Sequence, residues 1–419
     1  MTLPAELPIP PFTRPVRGSA VLPGSKSITN RALILAALSD RTVTLRGALF
    51  SRDTRIMIAA LRALGFAVVF DETALTITIE GRGGEIPHRE ARLHIGNAGT
   101  AARFLTAFVC LRPDGVYHFD GDEAMRRRPI GALLDALAMQ GAQADARSFP
   151  FTLRTAGLPG GAVELDASES SQMLSALLMV APHARTPLHV RLTSEAGSKP
   201  FVAMTEAMVK QFSPAPAVYE IEGDASAASY FLALPLVTGG ELALPNYRGT
   251  LQGDFRFREV LEEVGLRTTS DAEAAFVGSA QRGARHRGVT RNFREFSDTF
   301  LTLAAISPLL DGPTRISGIA HSRKQETDRV AGMARELRKL GQHVIEFEDS
   351  LEIHPRPLVP DVTIETYHDH RFAMSFGILG CHDLRGDGRP WLTIGDPACC
   401  AKTFPEFFDL LARLHAGSH

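Results

Sequence analysis

Segments with helical spacing that open on small polar residues recur along this chain at nearly constant intervals. They begin near Ser27 (SITNRALILAAL), Ala98 (AGTAARFLTAFV), Ser170 (SSQMLSALLMVA), Asp224 (DASAASYFLALP), Asp298 (DTFLTLAAISPL) and Asp369 (DHRFAMSFGILG), at spacings of 71, 72, 54, 74 and 71 residues. A long constant period means that one supersecondary unit is repeated. A second class of amphipathic segment alternates with the first. It is more charged and often ends in a leucine-rich turn before glycine, as in TRIMIAALRALG and ETDRVAGMARELRKLG. Short alternating runs such as TVTLRG, ALTITIEG and LHVRLTS read as strands. The expected fold is therefore a mixed α/β chain of six units, each with two helices and strands. At 419 residues it is long enough for two or three domains. The third interval is short, and the deficit falls between Phe212 and Tyr219, where SPAPAV stands in place of a strand pair. A missing or truncated hairpin is expected there.

Composition removes several classes of function. With 45 Lys+Arg against 47 Asp+Glu, the chain lacks the basic excess that nonspecific nucleic-acid binding needs. Any anion must be held locally. Cys110, Cys381, Cys399 and Cys400 make neither a CxxC pair nor a Cys/His ligand set, so no metal centre or disulfide framework is expected and a reducing compartment suits the chain. The first eighteen residues carry five prolines and no apolar h-region, and no apolar run is long enough to cross a bilayer. A cytoplasmic protein with no membrane role is expected.

Helix starts with exposed N–H groups and the positive end of the dipole are anion sites when cations join them. For any one of these starts taken singly, plain N-capping is the favoured explanation of the small polar residues. Several starts carry cations that capping does not require. LPGSKSITNRA places Lys26 at a helix start and Arg31 a turn later, without the GxxxxGK[ST] pattern of a nucleoside triphosphatase. GNAGTAARF offers a bare backbone at Gly99 and a cation at Arg103, and RRRPIG offers Arg128, with Arg126 and Arg127 read as a solvated face. Ser170, Ser171 and Gln172, then Ser198 of SKP, supply polar donors. Asp298, RKQETDR (323–329), Arg371 of DHR and Lys402 of AKTFP complete the set. Such starts, if they converge, make an anion funnel in a molecule of near-zero net charge.

The motifs LPGSKS..NRA, GNAGTA.R, RPIG, SSQ, SKP, GDAS.ASYF, QGD, ETDR, DHR.AM and AKTFP, in this order from Leu22 to Phe408, closely resemble the 5-enolpyruvylshikimate-3-phosphate synthase family. The resemblance implies a two-domain inside-out α/β barrel fold, with three βαβαββ units per domain around a pseudo-threefold axis. It implies domains over 20–223 and over 1–19 plus 224–419, with hinges near 18–20 and 222–224. It also implies the reaction, in which the 5-hydroxyl of shikimate 3-phosphate attacks C2 of phosphoenolpyruvate and the tetrahedral intermediate loses phosphate. Neither metal nor cofactor is implied, and a monomer is expected. By motif match, Lys26, Gly99, Arg128, Arg329, Arg371 and Lys402 hold phosphoenolpyruvate. Lys26, Ser27, Arg31, Ser170, Ser171, Gln172, Ser198, Asp298, His321 and Gln325 hold shikimate 3-phosphate. Asp298 deprotonates the hydroxyl, and Glu326 acts with Lys26 in proton transfer, Lys402 being the fourth catalytic residue.

Three positions depart from the resemblance. Gln325 stands where the family usually has Lys, His321 where Asn is common, and Phe201 where Tyr commonly follows SKP. Weaker binding of shikimate 3-phosphate is expected, relieved if His321 is protonated. Two other readings compete. A UDP-N-acetylglucosamine enolpyruvyl transferase usually carries a reactive Cys in the segment corresponding to 113–130, which has none here. A non-catalytic phosphoester-binding module would not need both Asp298 and Glu326.

Overall fold

The computed structural model describes residues 3–194, 199–247, 251–270 and 276–418. The chain forms two compact units, one of residues 24–222 and one of residues 1–23 with 223–419.

In the unit of residues 24–222, three sheets each begin with a parallel pair. Strand Val218–Glu220 lies beside Thr42–Arg46, with antiparallel Thr76–Glu80 and Val68–Asp71 beyond it. Glu90–His94 lies beside Val116–Asp120, with Phe151–Arg154 and Gln143–Ala144 beyond it. Gly161–Leu165 pairs with Leu188–Leu192, and that sheet stops at two strands. This is where the short interval leaves its mark. From helix Lys199–Gln211 the chain passes directly through SPAPAV to Val218–Glu220, which joins the first sheet instead of closing a third hairpin.

The other unit repeats the arrangement. Its sheets run Arg267–Ser270, Phe276–Ala280, Gly240–Leu244, Val16–Ser19, then Thr290–Asn292, Thr314–Ser317, Ser350–His354, His343–Glu346, and finally Glu6–Pro8, Leu392–Gly395, Val362–Ile364. The first crossing between units falls at Pro23–Gly24, later than the expected 18–20. The reason is pairing. Val16–Ser19 is the parallel partner of Gly240–Ala243, and the Asn246 side chain accepts from the Leu22 amide at 2.9 Å and donates to its carbonyl at 2.7 Å. The return falls at Glu222–Gly223.

The first class of helix is not amphipathic, as the spacing suggested, but buried almost all round. Gly99–Phe108 is buried at every residue and packs on Lys26–Leu38 and Ser171–Val180. Ala225–Thr238, Phe300–Ile306 and His370–Gly380 pack on one another in the same way. The second class buries one stripe. Phe257–Val264, for example, turns Phe257, Val260, Leu261 and Val264 inward. Each fully buried side chain of this size contributes about 1.5–3 kcal/mol, so the cores are built on the first class and sheathed by the second. The small polar starts of the first class are consequently the polar ends of otherwise apolar rods.

Candidate active site

In the unit of residues 24–222, three helix starts carry expected site residues. Ser25 caps helix Lys26–Leu38, its Oγ accepting from the Ile28 amide at 3.4 Å. Lys26 is thus the first helical residue, and its Nζ lies 3.5 Å from Asp53 Oδ2, a nearly buried carboxylate in the first turn of helix Arg52–Ala63. Only glycine fits just before this cap, because a Cβ on Gly24 would fall 2.0 Å from the Gly47 carbonyl oxygen.

Gly99 is the first residue of its helix, and a Cβ there would meet the Arg128 guanidinium at 2.4–2.7 Å. Arg128 Nη1 donates to both the main-chain and side-chain oxygens of Asn97 at 3.3 Å. A helix start and a guanidinium therefore meet at one spot, the ingredients of an anion site. At the third start, Ser170 Oγ accepts from the Gln172 amide at 3.3 Å and Ser171 is buried. The buried Gln172 Oε1 has no hydrogen-bond partner among the described residues. Ser27, half-buried, gives its carbonyl oxygen to Arg31. Ser198 lies outside the described residues.

Arg31 and Arg103 are not surface members of a funnel. Arg31 is 2% exposed, with Nε on Thr205 Oγ1 at 2.7 Å and its Nη atoms on Ser27 O at 3.0 Å, Ser175 Oγ at 3.2 Å and Phe201 O at 3.4 Å. The rings of Phe104 and Phe201 face it at 5.1 and 5.9 Å. Burial pushes its pKa down to about 9. Arg103 is 1% exposed and donates to the carbonyls of Gly99 and Pro129, tying the Gly99 helix start to the segment that carries Arg128. Arg126 and Arg127 are solvated, paired with Asp120 and Glu123.

In the unit of residues 1–23 and 223–419, the expected residues form one ionic lattice. Asp298 gives one oxygen to Arg329 Nη1 at 3.0 Å and the other to Arg371 Nη2 at 2.6 Å. Arg329 is 3% exposed in its side chain. It also donates to the buried Asp369 at 2.7 Å and to Gln325 Oε1, and lies 3.6 Å from Glu326 Oε1. The same Glu326 oxygen is 3.1 Å from Lys402 Nζ, and Glu326 Oε2 is 3.2 Å from His370 Nδ1. Arg371 Nη1 reaches Tyr230 Oη at 3.4 Å.

Neither key carboxylate is used up in capping. Asp298 sits in the 3-10 turn Ser297–Thr299 before helix Phe300–Ile306, whose cap makes no side-chain hydrogen bond. Helix Arg329–Lys339 is capped by Asp328, which accepts from the Ala331 amide at 2.9 Å and leaves Glu326 outside the helix. Burial alone would raise the Glu326 pKa, but Lys402, His370 and Arg329 together hold it well below the usual carboxylate range. Burial pushes His370 down against the pull of Glu326. Arg371 is held charged by Asp298, Tyr230, Asp254 and Asp369 against its own burial.

Glu326, Asp369 and His370 are close enough together to share an ion. However, Lys402 and Arg329 already lie against the Glu326 carboxylate. A divalent cation would face both charges, so the donor set fits a proton-handling cluster better than a metal site.

Two of the three departures have defined surroundings in this lattice. Gln325 does not stand free as a lost cation, since it serves Arg329 as an acceptor. His321 Nε2 lies 2.8 Å from Ser297 Oγ, and burial lowers its pKa despite Asp298 and Asp349. It is therefore neutral at neutral pH and does not restore the missing charge there. His370 and Tyr230 were not singled out by the sequence reading, and Asp369 only as a helix start, although they stand in the DHR and GDAS.ASYF motifs.

A family model described as EPSP synthase (3-phosphoshikimate 1-carboxyvinyltransferase) matches residues 12–411. A 3-phosphoshikimate 1-carboxyvinyltransferase of Opitutus terrae is 54% identical, over 100% of this chain and 99% of its own. One from Serratia proteamaculans is 39% identical over 95% and 96%. Among solved structures, an EPSP synthase from Acinetobacter baumannii matches with a TM-score of 0.80 at 23% identity, over 98% of both chains. The enolpyruvyl transferase NikO from Streptomyces tendae matches at 0.71 and 16%, over 98% of this chain and 97% of its own. These two likenesses show the fold, the two-domain inside-out α/β architecture that the resemblance implied. No described helix is long and apolar enough to cross a membrane. With a family match over nearly the whole chain and a relative at 54% identity, this chain belongs to the EPSP synthase (3-phosphoshikimate 1-carboxyvinyltransferase) family.

Proposed function

We propose that this chain transfers the enolpyruvyl group of phosphoenolpyruvate to the 5-hydroxyl of shikimate 3-phosphate and releases phosphate, a step of aromatic amino acid biosynthesis, as a cytoplasmic monomer. The carrying observation is the pair Arg329 and Arg371, whose guanidiniums grip the two oxygens of one carboxylate, Asp298, at 3.0 and 2.6 Å. Two forks so spaced are built to take the carboxylate of a substrate as well. In this reading Lys26, the Gly99 helix start, Arg128 and Lys402 take the phosphate of phosphoenolpyruvate. Ser27, Ser170, Ser171, Gln172 and Ser198, with Gln325 and His321, take shikimate 3-phosphate. Arg31 supports that group from within the core, since its own donors are committed to Thr205, Ser175, Ser27 and Phe201.

The proton transfers in this reading are as follows. Asp298 takes the proton of the attacking 5-hydroxyl while its oxygen bonds to C2 of phosphoenolpyruvate and C3 gains a proton. Elimination then removes a proton from C3 as the C–O bond to phosphate breaks. Glu326, held ionised, suits that removal, and the Lys402 ammonium at 3.1 Å suits proton supply.

Phosphate release measured with both substrates tests the reading, with UDP-N-acetylglucosamine in place of shikimate 3-phosphate as the comparison. Glu326→Gln and Asp298→Ala are each expected to lower kcat by about 10²- to 10⁴-fold. Near-normal turnover in both variants, or turnover with the nucleotide sugar alone, would overturn it.

A further inference from the structure

Each of the six sheets among the described residues contains one parallel pair, and in five of them one strand of that pair is covered on its far edge by an antiparallel strand. Thr42–Arg46 is covered by Thr76–Glu80, Val116–Asp120 by Phe151–Arg154, Gly240–Leu244 by Phe276–Ala280, Thr314–Ser317 by Ser350–His354, and Leu392–Gly395 by Glu6–Pro8. The last cover comes from the opposite end of the chain, so such an edge also accepts a strand that no hairpin delivers. Leu188–Leu192 is the exception. It pairs with Gly161–Leu165, and no described strand lies on its other edge.

The missing hairpin leaves polar and apolar groups together. Each of the five covered strands buries two residues, whereas Leu188–Leu192 buries none and Leu192 is 40% exposed. The Gly161 amide donates to the Pro187 carbonyl at 3.0 Å and the Thr193 amide to the Leu165 carbonyl at 3.0 Å. With Gly161 opposite Leu188, this ladder turns the amides and carbonyls of His189 and Arg191 inward and those of Leu188, Val190 and Leu192 outward. Elsewhere the outermost strand packs on the neighbouring helix, as His343–Glu346 does on Arg329–Lys339. Here a groove of about 730 Å³ is left instead, lined by Leu174, Leu192, Lys199, Val202, Ala203 and Glu206.

We propose that this edge binds the same edge of a second copy of the chain, the two Leu188–Leu192 strands pairing antiparallel about a two-fold axis through Val190. The outward residues are symmetric about Val190, so each outward N–H meets an outward C=O of the other copy. A slip of one residue would set outward groups against inward ones. A two-fold axis perpendicular to the sheet makes identical strands antiparallel, the sense in which the five other edges are covered. On the apolar face Val190 meets Val190, and Leu188 meets Leu192 of the second copy. On the polar face Arg191 brings its own counter-charge, Glu164. The strand carries no proline or lysine, which commonly blunt free edges. Two two-stranded sheets thereby become one of four strands, the size of the complete sheets. Five residues per copy make an interface at the small end of the specific range, so association is reversible, with Kd on the order of tens to hundreds of micromolar. Each copy keeps its own site residues. The monomer therefore remains the catalytic unit, and the inference goes beyond the enzymatic reading without resting on it.

Sedimentation velocity of the full chain from about 1 to 500 µM, a range spanning that Kd, tests the proposal. The weight-average sedimentation coefficient should climb from the monomer value toward that of a dimer. Val190→Pro removes an outward N–H that the existing ladder does not use, and Leu192→Lys sets a charge against Leu188 of the second copy. Both should stay monomeric throughout, and Leu192→Lys, at an exposed position, should keep the melting temperature of wild type. Register is read by mild oxidation. Val190→Cys should cross-link, because opposed hydrogen-bonded residues lie about 5.5 Å apart at Cα, within disulfide reach. His189→Cys, whose two copies fall two residues out of line, should not exceed wild type. A monomer at every concentration, a dimer that survives Leu192→Lys, or cross-linking no greater at 190 than at 189 would each overturn the proposal, and none of these outcomes bears on turnover.

Discussion

Gln325 and His321 show how a substitution read as a lost charge becomes a different contact in the folded chain. Gln325 Oε1 accepts from Arg329 Nη1, a service that a lysine ammonium cannot perform. Gln325→Lys therefore has two opposed effects. A cation joins the groups assigned to shikimate 3-phosphate, and Arg329 loses an acceptor while gaining a like-charged neighbour. The expected outcome is a fall of about threefold or more in KM for shikimate 3-phosphate, with a rise in KM for phosphoenolpyruvate. A fall in both constants would show that Gln325 does not help to orient Arg329. The pH dependence expected of His321 is moved by its burial. With its pKa lowered, the imidazolium is present only on the acid side of its ordinary titration and is lost as pH rises through that depressed value. KM for shikimate 3-phosphate should thus rise with pH only in the acid limb and be flat above neutrality. His321→Asn should abolish that limb, and an undiminished limb in the variant would assign it to another group.

At the scale of elements, helix starts were the most legible feature. Ser25, Ala98, Ser170, Asp224 and Asp369 are the cap positions, each within two residues of the start read from the pattern. Capping is local chemistry, written in a few consecutive residues. Direction was not legible. Arg31 and Arg103 stand beside cap motifs yet point into the core, because helices buried on every side leave a long side chain no solvent face. Partners were not legible either. Arg329 is joined to Asp369 forty residues on, and Asp298 to Arg371 at a separation of 73, distances over which no periodicity speaks. Gly99 is where element and site meet. A methyl group there would overlap the Arg128 guanidinium, the far end of a flexible side chain, so the helix can persist and Arg128 must shift. Gly99→Ala should leave the melting temperature within a few degrees and raise KM for phosphoenolpyruvate. An unchanged KM would mean that Arg128 shifts without disturbing the anion site.

For the molecule as a whole, the first 23 residues belong with the last two hundred and not with their immediate neighbours in the chain. Glu6–Pro8 is an edge strand on Leu392–Gly395, and Val16–Ser19 is the parallel partner of Gly240–Ala243. The repeat predicted six units of two helices and strands. It did not show that the first crossing waits until Leu22 is fastened by Asn246, because an asparagine clamp more than two hundred residues away has no signature in either segment. This wiring makes a prediction about cooperative opening. Backbone amides in Val16–Ala20 donate into the same sheet as Gly240–Leu244, so their exchange requires that sheet to open. In hydrogen exchange under graded denaturant, peptides covering 16–20 should share the opening free energy and denaturant slope of peptides covering 240–244, whatever the behaviour of 24–222. Asn246→Leu removes both bonds to Leu22 and leaves its amide and carbonyl to be satisfied elsewhere, which costs about 1–3 kcal/mol for each buried group so stranded. That variant should loosen 16–20 and 240–244 together. Exchange of 16–20 at the rate of an unprotected loop, or in step with 42–46 instead of 240–244, would mean that the N-terminal strand is an adherent segment and not a structural part of the unit that it completes.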